Sequence, residues 1–578
     1  MKYSKFEPNY VKFPTLKVDG ATEKDVWVGY EAIVEELKQY QGKTIVVDTY
    51  PGVRDQEILR ALQQGLQPTT ILTSIDCFYE QDELTRRMQS HLTDDRVFGV
   101  MYYGNVIDFM DEKLIKRYQD LLKTRTGTTL IYGFGASLIA EGDVLVYADL
   151  ARWEIQQRYR SKEMGNYKCD NYDEDTLRKY KRAFFIEWRI ADKHKRNLMD
   201  RIDYVLDTNK KDDPKMITGD IFRSALKQAA HKPFRTTPYF DPGVWGGQWM
   251  KEVCQLDSEQ PNFAWSFDGV PEENSLLLDV CGNVIEIPSI DVVFYQPRQL
   301  LGEKVFARFG AEFPIRFDFL DTIEGQSLSL QVHPNRDYIQ KLCGMPYTQD
   351  ESYYILEAVE GASVYLGIKE GVNPEEMIDA LREGQKGVSF PAEKFVNKFP
   401  AKKHDHFLIP AGTVHCSAPG CMVLEISATP YIFTFKLWDW DRLGMDGLPR
   451  PVHVEHGKHN IRFDRTPKWV EENLVNHFIT MHEDEVYTEE HTGLHELEFI
   501  ETRRFTTSTE VTLCTKESVN VLNLIDGHSA MVESLDGSFE PYEVHYAETF
   551  IIPETIKNYR IRSIDGNEIK VIQAYVRV

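Results

Sequence analysis

Positive charge is what this 578-residue chain has least of: Lys and Arg number 67 against 91 Asp and Glu, a net charge of -24. A chain so acidic repels phosphate backbones and anionic headgroups, which argues against a nucleic-acid or membrane-surface role. Any anionic ligand must then find a local cluster of Lys or Arg. The eight cysteines, at 77, 169, 254, 281, 343, 416, 421 and 514, include no CxxC pair, so they read as buried reduced thiols and not as a disulfide frame. No apolar run reaches about 18 residues. The N-terminal MKYSKFEPNYVKFPTLKVDG lacks both the basic and the apolar segment of a secretory signal, and the expectation is a cytoplasmic protein.

What is present is ordinary for a globular chain, 42% hydrophobic and 27% charged residues, in a length that exceeds one core and suggests about three domains. After an N-terminal extension (1–40), residues 41–215 alternate short apolar strands, KTIVVDTYP and TTILTSIDCF, with amphipathic helices such as DQEILRALQQGL, EQDELTRRMQSHL and DEKLIKRYQDLLK. That alternation predicts an α/β layer on a parallel sheet. The charged stretch DTLRKYKRAFFIEWRIADKHKRNLMDRIDYVL predicts helices with solvated basic faces. Past the Asp, Lys, Pro and Gly of DTNKKDDPK and HKPFRTTPYFDPGVWGG, strands dominate, which implies barrels or sandwiches over 230–460 and again over 461–578.

Within the first strand-rich region, Gln331-Val-His333 places an amide and an imidazole on one face of a strand, since side chains alternate with period two. The turn of Pro410-Ala-Gly-Thr-Val-His415 can bring a second imidazole to the same point, and Glu351 adds a carboxylate. Gln331, His333, Glu351 and His415 form a ligand set for zinc or another divalent cation, with room left for substrate or water.

Several phrases in order resemble the type I mannose-6-phosphate isomerases, a family of zinc cupins: GVWGG, Ser329-Leu-Gln331-Val-His333-Pro, ESYYILEA around Glu351, PAGTVH, and Asp439-Trp-Asp441-Arg442 followed by DGLPRPVH. The resemblance covers about 230 to 578. It implies a mainly β cupin double barrel, the C-terminal barrel keeping the frame without the metal. It implies proton transfer between C1 and C2 of a sugar or sugar phosphate through a cis-enediol, with Arg442 as the cationic catalytic group. Ser329, Arg316 and Lys436 become expected substrate contacts. Three cations common in the family are missing, since Gln349, Asp318 and Leu448 stand in their places, and this weakens the case for a phosphorylated substrate. A non-catalytic, metal-binding carbohydrate sensor is the alternative; a metal cupin oxygenase lacks support from WGG and D-W-D-R.

The α/β region weakly resembles P-loop nucleoside kinases in layout. The phosphate-cradling G-x-x-x-x-G-K-[ST] is absent, with Gly52-Val-Arg54-Asp55 where Gly-Lys-Ser/Thr is needed. A degenerate kinase-like domain without phosphoryl transfer, used for assembly or ligand sensing, is one expectation, and simply another α/β domain is the other.

Overall fold

The computed structural model describes residues 2–428, 433–493 and 495–578. A seven-stranded sheet comes first, in the spatial order Val26–Val28, Lys215–Thr218, Tyr204–Asp207, Val144–Asp149, Thr44–Thr49, Thr129–Gly133, Thr70–Thr73. Its last five strands are parallel, and the first two form an antiparallel edge. Strands Thr44–Thr49 and Val144–Asp149 are buried throughout, which is why they read as continuous apolar runs rather than as alternation. Because Val26–Val28 and the helix Gly29–Leu37 belong to this sheet, the boundary expected at 41 falls inside the domain. Upstream of it, Thr15–Lys17 pairs in parallel with the strand Ser275–Val280 of the next region.

The basic helices do not lie on solvent as expected. Lys179, Lys181, Arg182 and Lys195 are buried along Thr176–Arg182 and Trp188–Leu198, which are joined by a π-helical turn at Ala183–Glu187. Specific partners make this possible. Lys179 donates to the carbonyls of Tyr159 and Tyr172, and Arg182 meets Glu187 at 2.7 Å. Lys195 sits between Asp149, at the end of a sheet strand, and Asp291, in the cupin region, at 2.5 Å from the latter. A lysine held by two carboxylates is tolerable in an interior only because both are there. These helices are therefore the inner face of an interdomain contact, and one continuous apolar cluster runs from the α/β sheet into the cupin.

The glycine turn after Thr44–Thr49 is closed. Gly52 has φ +125, its carbonyl accepts from Arg158 Nη1 at 2.6 Å, and a Cβ there would stand 2.8 Å from Ile155 Cγ1. A loop filled in this way by the helix Arg152–Arg160 offers no cradle for phosphates.

The cupin consists of two facing antiparallel sheets. One has six strands in the order His406–Ile409, Glu351–Ala358, Cys421–Ser427, Arg316–Asp321, Trp265–Phe267, Tyr239–Asp241. The other has five, Val396–Pro400, Ser363–Ile368, His415–Ser417, Leu330–Val332, Phe435–Trp438. The expected strand YIFTFKLW starts at 431–432, and LHELEFIETRRFTTS at 494, both outside the described residues; the strands run over Phe435–Trp438 and Ile500–Thr507. From Ile479 a six-stranded and a four-stranded sheet enclose a separate apolar core, the C-terminal sandwich. Among the described residues no helix is long and apolar enough to cross a membrane.

Candidate metal centre and its surroundings

Cross-strand register assembles the centre. On the five-stranded sheet, Leu366, His415, Gln331 and Lys436 are consecutive partners, so their side chains share one face. His333 follows Gln331 by two residues and points the same way. On the opposing sheet, one row holds Glu351, Ser427 and Arg316, and the next holds Tyr353, Glu425 and Asp318. The two inner faces meet at His333, Glu351 and His415, whose ligand atoms all lie within 4.8 Å of one another, the only such His/Cys/Asp/Glu group found among the described residues.

The local hydrogen bonds fix the imidazoles. His333 Nδ1 lies 2.9 Å from the Phe433 carbonyl and His415 Nδ1 lies 2.9 Å from the Thr413 carbonyl. A carbonyl only accepts, so each Nδ1 carries its hydrogen there and each Nε2 is left facing Glu351. Those nitrogens stand 3.1 and 2.7 Å from the Glu351 oxygens, and all three residues are buried. His333 Nε2, His415 Nε2 and Glu351 Oε1 have no conventional partner. Positive charge must therefore occupy the centre, as protons or as a cation. Ligand atoms around a tetrahedral zinc stand about 3.3 Å apart, so this donor set fits the ion with modest expansion. Burial would raise the Glu351 carboxyl, but His333 and His415 hold it well below the usual range.

Gln331 is beside them, its amide oxygen accepting from the Thr434 hydroxyl at 2.9 Å. Gln349, where a lysine was expected, donates to Glu351 at 3.0 Å and to Glu425 at 3.4 Å, and accepts from the Phe433 amide at 2.9 Å. Because that bridge is neutral, Arg316 is the cation left to offset Glu425. Burial, then the charges of Glu351 and Asp318, push its carboxyl well above the normal range. Glu425 escaped the sequence reading, although a glutamate inside MVLEIS, a buried strand, was the signal for it.

The expected substrate contacts divide into two groups. Arg316 donates to Asp318 at 2.8 Å and packs over Phe267 at 4.5 Å, forming one wall of the six-stranded sheet. Ser329, Arg442 and Lys436 gather on the five-stranded sheet around Asp439, which accepts from Ser329 Oγ at 2.7 Å and Arg442 Nη2 at 2.7 Å and forms an ion pair with Arg450, whose Nε lies 3.0 Å away. Arg442 is thus tied to Asp439 within the chain. Lys436 is pulled down to about 7, first by burial and then by Arg450. In the turn between, Trp440 and Asp441 both have φ of 57, a strained conformation for two consecutive non-glycine residues and one that clusters at functional sites.

A two-sheet β core with a buried His/Glu/His centre, joined to an α/β domain, is what fold and centre define. Residues 29–231 match a family model described as "Domain of unknown function (DUF8485)". The mannose-6-phosphate isomerase of Streptococcus mutans is 27% identical over 233 residues, 39% of this chain and 68% of that protein. Mannose-6-phosphate isomerase ManA of Bacillus subtilis is 25% identical over 247 residues, 43% of this chain and 72% of that protein. Among solved structures, the Bacillus subtilis mannose 6-phosphate isomerase aligns over 60% of this chain and 99% of that one, at 19% identity and a TM-score of 0.49. A zinc-bound mannose 6-phosphate isomerase aligns over 60% and 99%, at 14% identity and a TM-score of 0.46. Part of the chain is homologous to the mannose-6-phosphate isomerases. The comparisons lend no support to the kinase likeness expected of the α/β domain, in keeping with its closed glycine turn.

Proposed function

We propose that the protein is a metal-dependent aldose-ketose isomerase acting on mannose 6-phosphate or a related sugar or sugar phosphate. The observation that carries this reading is the buried trio of His333, Glu351 and His415, with both Nδ1 hydrogens committed to backbone carbonyls and both Nε2 atoms turned on one carboxylate. These three, with Gln331, would hold the ion. When bound, a divalent cation supplies Lewis-acid stabilisation of the oxygen charge that develops on an enediol.

The chain's own residues supply the rest. Lys436 lies in the row of Gln331 and His415, where an amine can reach a bound sugar and exchange its proton. Glu425, whose carboxyl is pushed up first by burial, lies across the pocket and can donate a proton to a sugar oxygen. Arg442, fixed by Asp439, presents a guanidinium whose charge is independent of pH, suited to an oxyanion. The test is turnover of a panel of aldose phosphates and free aldoses by the zinc-loaded protein, followed as ketose formation. EDTA-sensitive turnover is expected, and its absence across the panel would favour the sensor instead.

A further inference from the structure

We propose that the α/β domain is a working part of this pocket: Asp95, Arg96 and Phe98 position the loop that carries Arg450, so that Arg450 and Arg442 form a cationic recess for the anionic end of a phosphorylated sugar. This deepens, and rests on, the isomerase reading.

The segment after the helix Gln81–Leu92 lies across the cupin. Asp95 pairs with His453 at 3.4 Å, and the Phe98 ring sits 4.8 Å from His453 and 5.3 Å from Phe435, centroid to centroid. The Met101 amide donates to the Cys343 carbonyl at 2.8 Å. Arg96, anchored on its own domain by Asp175, reaches the Pro449 carbonyl at 3.3 Å and Asp446 at 3.4 Å. Both contacts flank Arg450. The His453 amide donates to the Lys436 carbonyl at 2.7 Å, so Asp95 and Phe98 buttress the lysine's backbone through His453. Asp95 is well suited to this. Burial would raise it, but His453 and the amides of Phe98 and Val97 keep it ionised.

The recess holds more positive charge than the chain answers. Asp439 is a single carboxylate shared by two guanidiniums. Arg450 Nη1 is buried without an acceptor. In a chain of net charge -24, two guanidiniums sharing one carboxylate, with Arg450 Nη1 unanswered, call for an anion, and planar guanidiniums match a phosphoryl group. Arg96 does not touch the recess; it is a positioning residue, supplied by a domain that the cupin alone would lack.

The full-length, metal-loaded protein tests this, by calorimetric titration with inorganic phosphate and with mannose 6-phosphate, alongside kcat and KM. Arg96→Ala should raise KM for the phosphorylated sugar and weaken phosphate binding by about tenfold, the scale of one lost hydrogen-bonded anchor. Its kcat should stay within about twofold and its metal content unchanged, with Arg96→Lys between the two. Unaltered KM and phosphate affinity in Arg96→Ala would overturn the inference while leaving the isomerase reading in place. So would a fall in metal content matching the loss of activity, which marks a general structural role. Phosphate affinity that falls in Arg96→Ala, in a wild type that isomerises no sugar, would uphold the recess and overturn the isomerase reading.

Discussion

Replacing Glu351 by Gln removes the one charge between the two imidazoles while keeping the side chain's shape. Glu351 contacts His333 at 3.1 Å and His415 at 2.7 Å in a fully buried setting. Removing one member of a buried ionic cluster costs about 3–5 kcal/mol. The amide keeps one acceptor and one donor for the imidazoles, so about 2–3 kcal/mol is the expected loss without metal. Metal at a hundred times its Kd adds about 2.7 kcal/mol to the wild type, and the variant forfeits that as well. At about 2–4 °C per kcal/mol for a unit of this size, the metal-loaded variant should melt at least 10 °C below wild type. EDTA should lower the wild-type Tm and leave the variant's unchanged. Elemental analysis by mass spectrometry after gel filtration, with melts run with and without EDTA, provides the assay. One tightly held ion per chain in Glu351→Gln, with a wild-type response to EDTA, would refute the ligand assignment.

Lys436→Met keeps the stem of the side chain and deletes the amine; kcat should drop at least about a hundredfold with metal content unchanged, and a kcat within threefold of wild type would remove Lys436 from the proton transfer. Lys195→Met strands Asp149 and Asp291 in the interdomain contact, at a cost of about 3 kcal/mol at pH 7 in urea unfolding. Asp291 is already raised to about 8, mainly by burial, so more of it is neutral at pH 6 and the penalty should shrink there; a penalty that grows on acidification contradicts the reasoning. His406, buried beside the Thr492 carbonyl at 3.2 Å, is held down to about 3, chiefly by burial. Its folded value lies below the unfolded one, so its contribution is complete above about pH 6.5 and is lost as pH falls toward 3, at up to about 1.4 kcal/mol per pH unit. His406→Gln should flatten the acid limb of the stability profile by up to one proton, and an unchanged slope would show the ring is protonated when folded.

Much of the centre was legible in the sequence because it depends on local rules. Period-two alternation puts Gln331 and His333 on one face, and the Pro410–Gly412 turn returns the chain at His415, whose partner in register is indeed Gln331. The parallel sheet was legible for the same reason, its strands and helices each carrying their own periodicity. What escaped depends on partners distant in sequence. The burial of Lys181 and Lys195 follows from carbonyls and carboxylates that no window of the chain reveals, Asp291 being the plainest case. The charge pattern of those helices points to solvent; the compensating groups reverse it. Glu425 was readable in principle as a carboxylate within an apolar strand. Arg96 was not, since nothing near it in sequence links it to Asp446 or Pro449.

The account stands most directly on one measurement: ketose formation from mannose 6-phosphate by the full-length protein, stripped with EDTA and then restored with zinc, for wild type and His415→Ala. Loss of turnover on stripping, recovery on adding zinc, and neither metal nor turnover in His415→Ala is the predicted result. Turnover that survives stripping, or a His415→Ala protein that retains both its metal and its activity, would contradict it.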